Sequence, residues 1–291
     1  MLQPVPSSTS LDEAIVLQPL APDDVLEGQP QPPALIRFVA TVHAGWDIRG
    51  IPHGGYLLAM VAAAAAKVGP QPHPVSVAAN YLAPPMFGPA VLEVAEVRVG
   101  KRQSVHQVQL IQEGVPRVHA TITLGTLTDA DPVQWVTDIA APSIPSIEEC
   151  LDITAVRGDV DGEFPLHERL QLRLHPETGW VHDKPTGTPA LDGWMKLVDE
   201  QPNDPLAMLV LSDGFPPSIF EALGTEIGHV PTVQLTTHLF ALPAPGWIQC
   251  RCRTRVQGGG FVDEDSELWD STGRLVGTAR QLAMLRTPPP A

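Results

Sequence analysis

Hydrophobic and polar positions follow two different periods along the chain, and each change of period marks an element. Ala34–His43, reading ALIRFVATVH, predicts a strand. Gly54 and Gly55 then open a run of helix formers from Tyr56 to Val68, which Gly69-Pro70 closes. Apolar residues fall on nearly every side of that helix, so it is expected to be buried all round. Four strand-like runs follow without another helix: Pro74–Leu82, Ala90–Val99, Ser104–Gln112 and Arg117–Leu124, with turns at PPMFGP, GKR and QEGVP. A strand, a buried helix and an antiparallel meander together predict one sheet wrapped around one helix.

Residues 127–189 interrupt this pattern with prolines and charges; they are expected to form a connector that includes the first strand of a second half, Leu170–His175. The pattern then resumes. Gly193–Glu200 reads as a strand, and Pro205 to Leu223 as a helix broken near Asp213-Gly214 and Pro216-Pro217. Strands follow at Thr232–Leu242, Gly246–Val256, Phe261–Asp270 and Leu275–Leu285. The two halves repeat each other. Pro74 and Pro231 lie 157 residues apart, Gly88 and Gly246 158, and both Gly55/Gly214 and Gly114/Gly273 159. Four landmarks in order at so steady an offset predict a fused duplication, with units at 34–126 and 190–291, the connector between them and a proline-rich tail at 1–33.

Composition narrows the function. Eighteen basic against 33 acidic residues give a formal charge of −15, which argues against nucleic-acid and anionic-membrane surfaces. The N-terminus lacks a basic, apolar leader pattern, and the longest apolar run, Tyr56–Ala66, is too short to span a bilayer, so a soluble cytoplasmic chain is expected. Three cysteines, Cys150, Cys250 and Cys252, fit a reduced compartment; the last two are expected to point to opposite faces of a strand and not to bridge. No CxxC or HxxxH pairing suggests a metal, and no cofactor is expected. There is no GxSxG elbow, and the GGG at 258–260 reads as a hairpin turn rather than a dinucleotide loop. The EDSELWD run before Ser271 reads as a solvated edge strand.

Several segments resemble a known family. His53-Gly54-Gly55-Tyr56-Leu57-Leu58 opening an Ala-rich helix, Asn80-Tyr81-Leu82-Ala83-Pro84-Pro85, and Val108 to Gly114 are similar to the first half of the acyl-CoA thioesterase II family. Leu211-Ser212-Asp213-Gly214-Phe215, Pro231 to Leu235, and Ala279-Arg280-Gln281-Leu282-Ala283 are similar to the second half. The resemblance implies an α+β double hotdog, two fused units each with an antiparallel sheet around a central helix. It also implies hydrolysis of an acyl-CoA substrate, and pairing of the sheets into a homodimer is expected.

In that family an Asp, a Thr or Ser and a Gln orient the attacking water, which the resemblance carries to Asp213, Thr232 and Gln281. Thr236 is the alternative hydroxyl, expected on the same strand face as Thr232. Backbone amides at Gly214 and Phe215 are expected to polarise the carbonyl, and His53, Gly54, Gly55, Asn80 and Asp47 to line the rim from the first half. The repeat places Gly54 opposite Asp213, Val75 opposite Thr232 and Ile122 opposite Gln281, so only the second copy carries the trio. Plainer roles exist for each: Asp213 as an N-cap, Gln281 as a cross-strand hydrogen bonder, His53 as a helix-start polar residue. Two other functions remain open. One is a hydratase or dehydratase, for which His53 with Asp213 is the available acid/base pair; the other is non-catalytic binding of acyl-CoA or an acyl chain. Arg98, Lys101 and Arg102, or Arg251, Arg253 and Arg255, are the candidate phosphate contacts.

Overall fold

The computed structural model describes residues 35–129, 139–157, 163–198 and 203–285; the proline-rich tail expected at 1–33 lies outside them. The first half runs β1 (Leu35–Val42), β2 (Asp47–Ile48), β3 (Ile51–Pro52), α1 (Gly54–Ala66), β4 (His73–Tyr81), β5 (Gly88–Val99), β6 (Ser104–Gln112) and β7 (Val115–Gly125). Between the halves lie β8 (Leu151–Asp152), α2 (Ile153–Arg157) and β9 (Leu170–Leu174). The second half runs β10 (Ala190–Leu197), α3 (Pro205–Leu211), α4 (Phe220–Leu223), β11 (Thr232–Leu239), β12 (Ile248–Arg253), β13 (Gln257–Gly258), β14 (Phe261–Trp269) and β15 (Leu275–Met284).

One antiparallel sheet joins both halves, in the order β1-β5-β6-β7-β4-β11-β15-β14-β12-β10-β9-β8. Read outward from the β4–β11 seam, β4-β7-β6-β5-β1 on one side matches β11-β15-β14-β12-β10 on the other, so the fold is an α+β double hotdog. At the seam Ala78 faces Thr236 and Val77 faces Thr237, with Ala79 facing Leu235. Ala78 and Thr236 are 158 residues apart, the offset of the sequence repeat, so an internal pseudo-twofold axis passes through that pair. The counterpart of β1 in this order is β10; Leu170–Leu174 is an added strand outside it rather than the first strand of the second unit.

The core sits where the sheet curls over α1 and α3. Leu57, Leu58, Val61 and Ala62 are wholly buried, as the all-round apolar pattern of α1 requires. Asp204 caps α3, its carboxylate accepting the Ala207 N–H at 2.7 Å, and Pro205 occupies the first turn, where a missing N–H does no harm. The helix ends at Leu211. Gly214 and the donor-less Pro216-Pro217 prevent its continuation, and α4 restarts only at Phe220.

Two expectations are overturned. EDSELWD is not a solvated edge, because β14 lies between β12 and β15 and buries Ser266, Leu268, Trp269 and Asp270. Cys250 and Cys252 both face the core, since residues two apart on a strand share a face; both are free thiols. The expected hairpin at the triple glycine is present, with Gly259 and Gly260 in the left-handed region between β13 and β14.

Burial on this scale leaves α1 intolerant of truncation. Leu58→Ala, at 0% exposure, is expected to lose about 2–5 kcal/mol of stability. Val39→Ala, on edge strand β1 at 88% exposure, should stay within about 0.5 kcal/mol of the parent; urea titration of both variants checks the contrast.

Candidate active site

Asp213 does not cap a helix of its own half. It is the second residue after α3, beyond the C-cap Ser212, whose hydroxyl donates to the Leu209 carbonyl at 2.8 Å and lies 2.9 Å from Thr237 Oγ1. From there the carboxylate reaches across the pseudo-twofold to the start of α1, where Oδ2 accepts the Gly55 N–H at 2.8 Å. That amide is an orphan donor at the positive end of a helix, a natural seat for a carboxylate. His53 is the N-cap of α1, with Nδ1 accepting the Tyr56 N–H at 3.3 Å. Nε2 is therefore the protonated nitrogen; it donates to the Asp213 carbonyl at 2.8 Å and lies 3.3 Å from Oδ2. Tyr81, at the end of β4, donates its hydroxyl to the Gly54 carbonyl at 2.8 Å.

The paired glycines make this approach possible. A Cβ on Gly54 would lie 2.7 Å from Asp213 Oδ2 and 3.1 Å from Tyr81 Oη. A Cβ on Gly55 would lie 2.6 Å from the Val210 carbonyl oxygen and 3.0 Å from Asp213 Cβ. Burial pushes the Asp213 carboxyl above its usual range, with the His53 ring and the Gly55 N–H opposing it. Burial, and secondarily the Asp213 charge, raises the Tyr81 phenol well above its ordinary value. The result is a carboxylate with a raised proton affinity, 13% exposed, at a helix N-terminus.

The other expected residues divide by sheet face. Gln281 on β15 pairs with Leu235, and Thr232 pairs with Ala283, so both stand on the inner face beside the buried Leu235 and Ala283. Thr236 does not share that face. Val233 is an extra residue in a β-bulge between Thr232 and Gln234, which reverses the alternation. Thr236 therefore points outward with Gln234, whose amide donates to its hydroxyl. Asn80 pairs with Gln234 on the same outer face and is exposed, away from Asp213. The Gly214 N–H is committed to the Leu211 carbonyl at 3.0 Å, so it does not serve as a free donor. Phe215 packs its ring against the core. Asp47 is buried, with one oxygen on the Gly45 N–H and the other on the Gly50 N–H, and belongs to the β2–β3 turn rather than to a rim.

Of the basic candidates, Arg251 pairs with Asp192 and Glu267, and Arg255 with Asp265. Two inner-face groups escaped the sequence reading. Tyr81 was visible only as part of the NYLAPP segment, although alternation with Val77 and Ala79 puts it on the inner face. Glu264, concealed in the acidic run, stands directly opposite Gln281.

Residues 42–125 match the family model of the acyl-CoA thioesterase N-terminal domain, and residues 147–285 that of the C-terminal domain. An uncharacterized protein of Mycobacterium tuberculosis is 32% identical over 286 residues, covering 89% of this chain and 94% of its own. A candidate thioesterase II from Thermobifida fusca superposes with a TM-score of 0.76 at 29% identity, over 86% of this chain and 92% of that one. An acyl-CoA thioesterase II from Mycobacterium marinum gives 0.63 at 18% identity, over 81% and 89%. A dehydratase domain from Mycobacterium tuberculosis, in complex with C12:1-CoA, gives 0.52 at 12% identity over 86% and 94%; these last two likenesses concern the fold alone.

The crowding separates two substitutions. Gly55→Ala meets the α3 backbone and is expected to destabilise the fold by about 1–3 kcal/mol. Gly54→Ala meets only the tip of a carboxylate and a phenol, so stability should change by under about 1 kcal/mol while the carboxylate is displaced. Asp213 also carries a pH signature. Its folded pKa lies above the unfolded value, so the stability this group contributes is present below the unfolded pKa and lost as pH rises through the folded one. Asp213→Asn should therefore raise the thermal unfolding midpoint near about pH 7, and the gain should vanish toward about pH 3.

Proposed function

The chain belongs to the acyl-CoA thioesterase family, and we propose on that premise that it hydrolyses an acyl-CoA thioester to the free acid and coenzyme A. The observation that carries this reading is the Asp213 carboxylate, desolvated and seated across the halves at the N-terminus of α1. A thioester carbonyl is already electrophilic, so the chemistry needs a placed water, a base and donors for the developing oxyanion. Asp213 takes the proton of that water, and its raised proton affinity suits the task at neutral pH. Thr232 and Gln281, which share the inner face, hold the water. The carbonyl oxygen turns toward the start of α1, where the Gly54 N–H takes no partner among the described residues. Hydroxide adds to the carbonyl carbon, the C–S bond breaks, and the thiolate leaves with the proton that Asp213 held.

One observation favours a second reading. The His53 imidazole of the first half stands 3.3 Å from the Asp213 carboxylate of the second, the acid/base pair that adding or removing water at an acyl chain requires. His53 is at the same time the N-cap of α1, which accounts for its place without catalysis.

A single assay with two arms decides. Thiol release from a panel of acyl-CoAs is expected for the parent, with kcat reduced by about 10²–10⁴ in Asp213→Asn. Water addition to an enoyl-CoA without thiol release would instead support the hydratase. Tight acyl-CoA binding with neither reaction would reduce the protein to a binder. Full hydrolysis by Asp213→Asn would remove Asp213 from the mechanism.

A further inference from the structure

We propose that Glu264 is a positioning residue of the Asp213 site, anchoring the segment that follows Asp213 and presenting its carboxylate to Gln281; this rests on the hydrolysis reading above. Glu264 on β14 is the direct cross-strand partner of Gln281 on β15, so the two share the inner face with Cβ atoms about 4.5–5.5 Å apart. Its Oε2 accepts the Ser218 N–H at 2.6 Å and the Ser218 hydroxyl at 2.8 Å. Ser218 Oγ also lies 3.0 Å from Thr254 Oγ1. Ser218 is five residues beyond Asp213, and the intervening Pro216-Pro217 has both φ angles fixed by its rings, so a clamp at Ser218 is transmitted stiffly to Asp213.

The charge itself needs a reason. Among the described residues no Lys or Arg forms an ion pair with Glu264, and a desolvated carboxylate without a cation is unfavourable. A glutamine would hold Ser218 equally well through its carbonyl oxygen. What only the charge supplies is a field that couples to Asp213: the Asp213 charge adds a small upward push to the proton affinity of Glu264, which burial already raises. The groups facing the pair are His53 and Tyr81 on the Asp213 side and Cys252 and Cys250 on the Glu264 side; none is a permanent cation. Glu264 thus holds the loop through Ser218, and its charge repels that of Asp213, without touching substrate.

Glu264→Gln and Ser218→Ala separate the two effects. Glu264→Gln should keep the fold, lower kcat by about tenfold with KM within about twofold, and move the acidic limb of kcat/KM to lower pH. Ser218→Ala should lower kcat while leaving that limb in place. Parent kcat and an unmoved limb in Glu264→Gln would overturn the proposal, as would a fall in the unfolding midpoint as its only effect. A second readout needs no turnover. Unfolding midpoints of the parent, Asp213→Asn, Glu264→Gln and the double variant should be non-additive at neutral pH and additive in acid, where both carboxyls are protonated. If the parent releases no thiol, the hydrolysis reading falls, and this cycle alone decides Glu264; additivity at every pH overturns it.

Discussion

A single steric fact organises this molecule: the Asp213 side chain occupies the space that a side chain on Gly54 would need. The two positions are 159 residues apart and correspond in the internal repeat, so they meet near the pseudo-twofold as a residue meets its own copy in a symmetric dimer. In a pair of identical chains, an aspartate there would face an aspartate, two desolvated like charges in one volume. Fusion of the halves lets one position keep the carboxylate and the other give up its Cβ. The same crowding reaches Gly55, whose Cβ would strike the Val210 carbonyl, so the glycine pair sets how closely α1 and α3 approach.

The carboxylate is held there by donors rather than by a cation. One helix-terminal N–H holds it, and the His53 ring stands 3.3 Å away with its own N–H on the Asp213 backbone carbonyl; neither outweighs the loss of water. An arginine in this position would fix the group as a spent anion with a depressed pKa. Donors of modest strength leave it wanting a proton, so the local environment is unfavourable for folding and favourable for base chemistry. The Tyr81 phenol, turned to the Gly54 carbonyl, closes the same corner without neutralising it.

Much of the architecture was legible because it rests on periodicity. The elements α1, β4 to β7, β11, β12, β14 and β15 follow, to within a few residues at their ends, from alternation and from glycine and proline punctuation, and the repeat offset reappears as the Ala78–Thr236 pair at the seam. The trio's positions came from resemblance; what the sequence could not reveal was which way they face. A one-residue bulge at Val233 separates Thr232 from Thr236, and no local pattern announces it. Glu264 was hidden for a related reason: an acidic run looks solvated until strand order places β14 in the interior. Asn80 and Asp47 had plausible side chains in plausible segments, but register turns one outward and turn geometry consumes the other.

The asymmetry at Gly54 and Asp213 extends along the sheet. The β6–β7 pair His106–Ile122 corresponds to the β14–β15 pair Glu264–Gln281, and the Val77 opposite Ile122 corresponds to the Leu235 opposite Gln281. In the first half Ile122 is wholly buried, and α1 covers that face through 13 residues. In the second half α3 stops after seven. The prolines that end it replace helix with the 214–219 segment, whose Ser218 meets Glu264 where a longer helix would bring another apolar side chain. Shortening one helix thus removes the apolar cover from one sheet face, and the Glu264 carboxyl on that face is tolerable because Ser218 of the overlying loop donates to it. Two copies of one fold have diverged at Ile122 and Gln281, apolar in one half and polar in the other, and the carboxylate between the halves belongs to both.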